Sequence, residues 1–314
     1  MCRNTYSGED DYLSHVYVFE NVLVSEEKIY SSKFYFRRGG CFPYGGNLHD
    51  SIFVSGFVDE AMIAFSYYAR VFYHQFTEFV VSLLLLRPII VNNPQIPILI
   101  QKNTMQMEAA RKMAQIHHLH TKYISVGHEA IMVRRLIVPV IPVCGYTPKH
   151  LYQKIRDHVH KAFEITDYQK PTKILLGQRY GERHFVEFDD YKSRMEQLYP
   201  NLVEVFEPNE WSVDEIAKKF SRAMIFVSPH GSGMTNMVFM HKNTTVVELL
   251  PDQWAMNFFK DLALAFDLQF DRIVVQGTKN SWISIGSQGV DRLVDMTVAA
   301  LNNSPHFKNE KASS

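Results

Sequence analysis

MIFVSPHGSGMTNMVFMHKNTTVVELLP, residues 224–251, holds two apolar runs separated by a glycine loop and a short run of helix formers. MIFVSP (224–229) and TTVVELLP (244–251) read as strands buried on both faces, and MTNMVFM between them as a short helix. Strand, helix and strand in so short a span form the crossover unit of a parallel sheet. The same alternation runs upstream. KILLGQR (173–179) predicts a buried strand, DDYKSRMEQLYP (189–200) a helix and LVEVFEP (202–208) a strand. SVDEIAKKFSRA (212–223) predicts a helix opened by the capping box Ser212-x-x-Glu215. A last helix is expected near 290–302. These elements define a domain over 169–302 with helices on both faces of its sheet, and 303–314 is a polar tail.

The first half reads as a second domain, 1–168, ending in the polar joint TDYQKPT (166–172). VYVFENVLV and IYSSKFYF, around a charged SEEK turn, predict a hairpin, and RGGCFPYGGN (38–47) a glycine-rich loop. AMIAFSYYA (61–69) is apolar enough for a buried strand, and 70–86 has the length and period of a helix. A strand at IPILIQ, a helix near 104–118, a strand pair at KYISV and RRLIVPVI, and a helix near 148–163 follow. The fold class is α/β.

Bulk properties exclude some functions. The 314 residues carry 33 basic and 33 acidic side chains, so no basic surplus supports nucleic-acid binding. Three cysteines without a CxxC fix no redox compartment. The N-terminus lacks a signal-peptide core, and the longest apolar run, FVVSLLLL (79–86), stops at Arg87-Pro88, too short for a membrane span.

The HGSG loop follows the end of a strand, where ligands bind in parallel α/β sheets. Gly231 and Gly233 let a bulky group approach the backbone. The amides opening the next helix carry partial positive charge, which suits a phosphate or diphosphate. His230, Ser232, Thr235 and Asn236 complete the candidate loop. Glu248, in an otherwise apolar strand, is a candidate partner for ribose hydroxyls, or a strand-end residue reaching solvent. Arg179 and Arg183 stand where the domain's first strand ends, and a guanidinium fork matches phosphate. The alternative for the loop is a tight turn with a capping histidine, and for the arginines, surface charge. A serine-hydrolase elbow needs G-x-S-x-G, and the frame here is wrong. A Walker loop lacks its Gly-Lys-Ser/Thr ending.

Arg70, His74 and Glu78 are spaced four apart, which a helix aligns on one stripe. His74 and Glu78 are candidates, in either order, for a general base and its orienting partner; otherwise they form a paired stripe that stabilises the helix. His49-Asp50 is a reserve pair. His117 and His120 of HHLH share a helix face, but no carboxylate or cysteine is near in sequence to complete a metal site, so they are read as structural or exposed. No metal site is expected.

The chain resembles family-61 glycosyltransferases. That family carries a buried strand, then H-G-A-G-L-T-N, then a strand ending V-E-L. Here Ser232 replaces the alanine and Met234 the leucine. ILLGQRYGER is similar to the family's arginine-bearing segment, FENVLVSEEKIY to its early strand pair and FYHQFTEFV to its N-x-x-H-x-x-x-(D/E) helix start. One departure is Glu187, nearest to where the family commonly has an asparagine. The resemblance implies a GT-B fold, two Rossmann-like domains facing a cleft, with the acceptor side N-terminal and the nucleotide sugar on the C-terminal domain. It implies inverting transfer from a UDP-sugar, such as UDP-xylose or UDP-GlcNAc, to a glycan or glycoprotein hydroxyl, without a cofactor. The other common nucleotide-sugar fold holds a metal with Asp-x-Asp, a motif missing from this sequence. A metal-independent mechanism is therefore expected, the leaving charge being met by arginines, histidine and helix amides. The resemblance also implies a Golgi or ER lumen location, although no signal or anchor is legible; Asn243-Thr244-Thr245 is a glycosylation sequon that argues little by itself. The alternative function is a non-catalytic α/β protein retaining a nucleotide or phosphate pocket.

Overall fold

The computed structural model describes residues 3–4, 16–26, 28–32, 34–36, 45–47, 52–64, 72–101, 122–141, 149–207, 212–254 and 256–307. The chain divides into two compact units, 1–158 and 159–314.

In the first unit, strands β1 (Arg3–Asn4), β2 (Val16–Val24), β3 (Ile29–Tyr30), β4 (Phe34–Phe36), β5 (Gly45–Asn47), β6 (Val54–Ile63), β7 (Ile98–Gln101), β8 (Tyr123–Val126) and β9 (Ala130–Pro139) share one sheet. Their order is β5-β4-β3-β2-β9-β6-β7-β8, with β1 pairing β2 outside this path. β9, β6, β7 and β8 are parallel, while β2 runs antiparallel to β9 and carries the β3–β4–β5 meander. The sheet is therefore mixed. KYISV and RRLIVPVI both form strands, but β8 pairs with β7 and β9 with β2 and β6, so they are not partners. The buried faces of Val24, Ile63, Leu99, Val133 and Leu136 form this unit's core.

The strand expected at 61–69 begins earlier and ends at Ile63, its first seven residues being at least partly exposed. After it comes a helical stretch in three pieces: α1 (Phe72–His74), a π-helical segment (Gln75–Val80) and α2 (Val81–Asn92). The helix does not stop at Pro88. It passes through it to Asn92, where the side chains of Asn92 and Asn93 donate to the carbonyls of Pro88 and Ile89 at 2.9 and 3.1 Å. Ile89 O also accepts the Asn93 backbone amide at 2.9 Å, so the side chain adds a second bond to a carbonyl already served. The expected helix at 104–118 lies outside the described residues, as do Arg70, His49, Asp50, His117 and His120. α3 (Lys149–Ala162) then carries the chain from the first unit into the second.

The second unit holds β10 (Lys173–Gly177), α4 (Phe188–Leu198), β11 (Val203–Phe206), α5 (Val213–Ser221), β12 (Ala223–Pro229), a 3-10 helix (Ser232–Phe239), β13 (Thr245–Pro251), a 3-10 turn (Asp252–Trp254), α6 (Phe258–Ala265), β14 (Gln269–Val275) and α7 (Gly286–Asn303). All five strands are parallel, ordered β11-β10-β12-β13-β14. Alternate residues of β12 face opposite ways. Ile225 and Val227 pack with Tyr191 of α4 and Leu293 of α7, whereas Phe226 meets Phe206 and Phe220, the latter on α5. Helices thus cover both faces. Both halves of the Ser212–Glu215 capping box open α5. The strand order reverses between β10 and β12, the switch point outside which doubly wound sheets bind ligands.

Candidate functional site

Two strand ends flank that switch point. β10 runs out through Gln178, whose buried side-chain oxygen accepts the Arg179 amide at 2.8 Å. The loop beyond it folds back tightly because Gly181 and Arg183 adopt left-handed backbone, φ 81° and 58°. It is held by the Arg183 amide donating to Ser281 O (3.1 Å) and by His184 Nδ1 with Arg179 O (2.8 Å). The turn brings two cations within electrostatic reach. Burial pushes the Arg179 guanidinium down to about 10, and the charge of Arg183 adds to the effect. Burial lowers Arg183 as well, while Glu182 pulls the other way across 3.9 Å. The Nε of Arg183 is buried without a hydrogen-bond partner.

β12 ends at Pro229, and His230-Gly231 leads into the 3-10 helix. Gly231 is extended, so backbone freedom is not why a glycine stands there. Contact is the reason: a Cβ at this position would collide with the Nη1 and Cζ atoms of Arg179. The guanidinium lies on the bare backbone of the loop. Behind it, Asn236 Nδ2 donates to Gly233 O at 2.9 Å and braces the turn. Thr235 Oγ1 and Asn236 Oδ1 are 1% and 2% exposed residues' atoms with no hydrogen-bond partner, an expensive arrangement unless something supplies one. Ser232 and Gly233 are half-exposed.

His230 and Glu248 turn inward. His230 is 4% exposed and Glu248 0%. His230 Nδ1 lies 2.5 Å from Glu248 Oε1, and the Trp254 indole N–H donates to His230 Nε2 at 3.0 Å. An indole nitrogen can only donate, so Nε2 carries no proton and Nδ1–H donates to the carboxylate. The other oxygen of Glu248 accepts Arg272 Nε at 2.7 Å. Arg272 continues to Asn257 Oδ1 (3.1 Å) and Met256 O (3.2 Å). One buried chain therefore joins the HGSG loop to the turn after β13. Both ring nitrogens of His230 and both oxygens of Glu248 are spent within it.

Arg179, Arg183, Gly231, Ser232, Gly233, Thr235 and Asn236 thus gather on the loops beyond β10 and β12, with His230 and Glu248 beneath as a buried tie. Glu187 is elsewhere engaged: its carboxylate accepts Ser284 Oγ and the amides of Ile285 and Gly286 at 2.5, 3.1 and 3.1 Å, capping α7. In the first unit, His74 Nδ1 and Glu78 Oε1 are 2.6 Å apart, both buried, across the α1–π-helical junction. π-Helical turns frequently occur at functional sites. Two residues escaped the reading of the sequence, Trp254 and Arg272. Arg272 sits in register opposite Glu248, one charge facing another across two adjacent strands, a pairing visible only once β14 is in place. Trp254, three residues past the end of β13, had no signal beyond lying at the carboxyl end of a strand.

The family model described as Glycosyltransferase 61 matches residues 72–247, more than half of the chain. No curated protein matches it.

Proposed function

Since the chain belongs to the glycosyltransferase 61 family, and is a glycosyltransferase, we propose that it performs inverting, metal-independent transfer of a sugar, xylose or GlcNAc, from a UDP-sugar to a glycan or glycoprotein hydroxyl. One observation carries this reading: the Arg179 guanidinium rests on the Gly231 backbone at the switch point, with Arg183 beside it. Two partly desolvated cations at that place are an anion site, and preorganised donors there act on charge as it develops on the leaving diphosphate. The amides opening the 3-10 helix and the hydroxyls of Ser232 and Thr235 add donors, Gly233 allows close approach, and Asn236 braces the turn. His230 and Glu248 support the loop rather than touch the donor.

In the proposed reaction the acceptor oxygen bonds to the anomeric carbon, the bond from that carbon to the diphosphate oxygen breaks, and UDP leaves with the electron pair. His74 takes the acceptor's proton at Nε2, Glu78 holding the ring through Nδ1. The two units would be the acceptor-side and donor-side halves of a GT-B enzyme. With no described helix long and apolar enough to cross a membrane, a Golgi or ER lumen location is proposed from the family alone.

The test is thermal stabilisation by UDP, UMP and a panel of nucleotide sugars, with EDTA present, on wild type and Arg179→Ala. A UDP-dependent rise in Tm that survives EDTA and disappears in the variant is expected, and the best sugar identifies the donor. No shift with any nucleotide would sink the proposal. Binding without turnover on any acceptor would favour a non-catalytic nucleotide-binding protein.

A further inference from the structure

Resting on the donor-site reading, we propose that Trp254 is the aromatic shelf for the nucleobase of the donor, and that His230 is a positioning residue for it. Arg179 packs on Gly231, and Trp254 bonds the residue just before it, His230. Arg179 and Trp254 are thus held by neighbouring residues of one loop. A nucleoside diphosphate needs that pairing, an anion site beside a flat apolar surface.

Trp254 is built to stay still. The turn that carries it is tied at three places: at the indole N–H by His230, at Met256 and Asn257 by Arg272, and at its start by Gly277, whose amide donates to Asp252 Oδ1 at 3.0 Å and whose carbonyl accepts the Gln253 amide at 3.1 Å. With the nitrogen edge fixed, the ring's faces are oriented, and the side chain remains only half-buried. The Lys279 ammonium lies over one face of the ring, 5.5 Å from its centroid, so a pyrimidine would stack on the opposite face. Fixing the plane beforehand lowers the ordering cost of binding. A purely structural tryptophan would need no such triple anchoring of a half-exposed turn.

The experiment compares two ligands by titration calorimetry: UDP, and inorganic diphosphate as the base-free probe. Trp254→Ala should weaken UDP by roughly tenfold or more, the scale of one lost base–aromatic contact, and leave inorganic diphosphate unchanged. His230→Ala should act in the same selective way. His230→Gln should restore UDP to within a few fold, because a side-chain amide can donate to Glu248 and accept from the indole at once. Unliganded Tm of each variant separates unfolding from loss of the shelf, and Trp254→Phe, which keeps a ring, should lose only a few fold. If His230→Ala weakens UDP and diphosphate equally, the histidine contacts phosphate and the inference is overturned. It is overturned too if Trp254→Ala binds UDP as wild type does. Wild-type binding of neither ligand would instead overturn the donor-site reading itself.

Discussion

A methyl group on Gly231 would occupy the space of the Arg179 guanidinium. Sequence alone suggests that this glycine admits a ligand; the structure shows that it admits an arginine, the residue proposed to meet the ligand. The distinction is measurable. Gly231→Ala should displace Arg179 and weaken UDP about as much as Arg179→Ala does, on the order of tenfold for a charge-assisted contact. The double variant should be scarcely worse than either single one, since both remove the same interaction. A double-mutant cycle by calorimetry checks this, and fully additive losses would show that the glycine acts on its own. Glu248 teaches the opposite lesson. Its position in an apolar strand marked it as unusual, but the cause is an ion pair with Arg272 and a hydrogen bond to His230 at zero exposure. Buried charges persist only when so paired.

Elements explain where the sequence was legible. KILLG, AMIFVSP and TVVELLP are inner strands of a parallel sheet covered on both faces, so each is almost wholly buried and reads as a near-continuous apolar run, Glu248 being the one charge among the buried positions. QFDRIVV, the edge strand β14, went unread because its exposure alternates and its charges interrupt the run. The first unit was harder for a related reason. β6 starts with VSGFVDE, largely exposed, and only its last three residues show the burial that marks a strand. Nor does sequence spacing reveal that β8 and β9 take different partners. Helix starts were clearer, and Glu187 offers a test at this scale. Burial alone would raise its carboxyl, but the bonds from Ser284 and the amides of Ile285 and Gly286 outweigh that and hold it below the usual carboxylate value. Glu187→Ala should cost about 1 kcal/mol at neutral pH, as loss of a helix cap does. A carboxyl lowered on folding stabilises fully above its unfolded value, and that contribution fades as pH falls through the lower folded value. Urea unfolding at pH 7 and near pH 3 should therefore show the gap between wild type and variant narrowing in acid. A gap that is the same at both would mean that charge is not what caps α7.

At the scale of the whole molecule, the proposed donor residues all lie in 159–314 and the proposed base pair in 1–158, while the family match runs from 72 to 247 and takes in parts of both. Two units with separate cores can divide an enzyme's work, one binding and the other activating, and the division predicts separable defects. His74→Gln should lower kcat by roughly 10²–10⁴, the usual worth of a general base, yet leave the UDP-dependent rise in Tm intact. Glu78→Gln should lower it less, since the ring remains but its Nδ1–H partner is weakened. Arg179→Ala should do the reverse in binding, losing the UDP shift first. Turnover is read with the donor sugar found in the stabilisation panel, and binding by the shift itself. If His74→Gln keeps full turnover, the His74–Glu78 contact is a helix-stabilising pair and the base lies elsewhere. If it loses UDP binding along with activity, the division of labour fails, because a residue of the first unit would then be shaping the donor site.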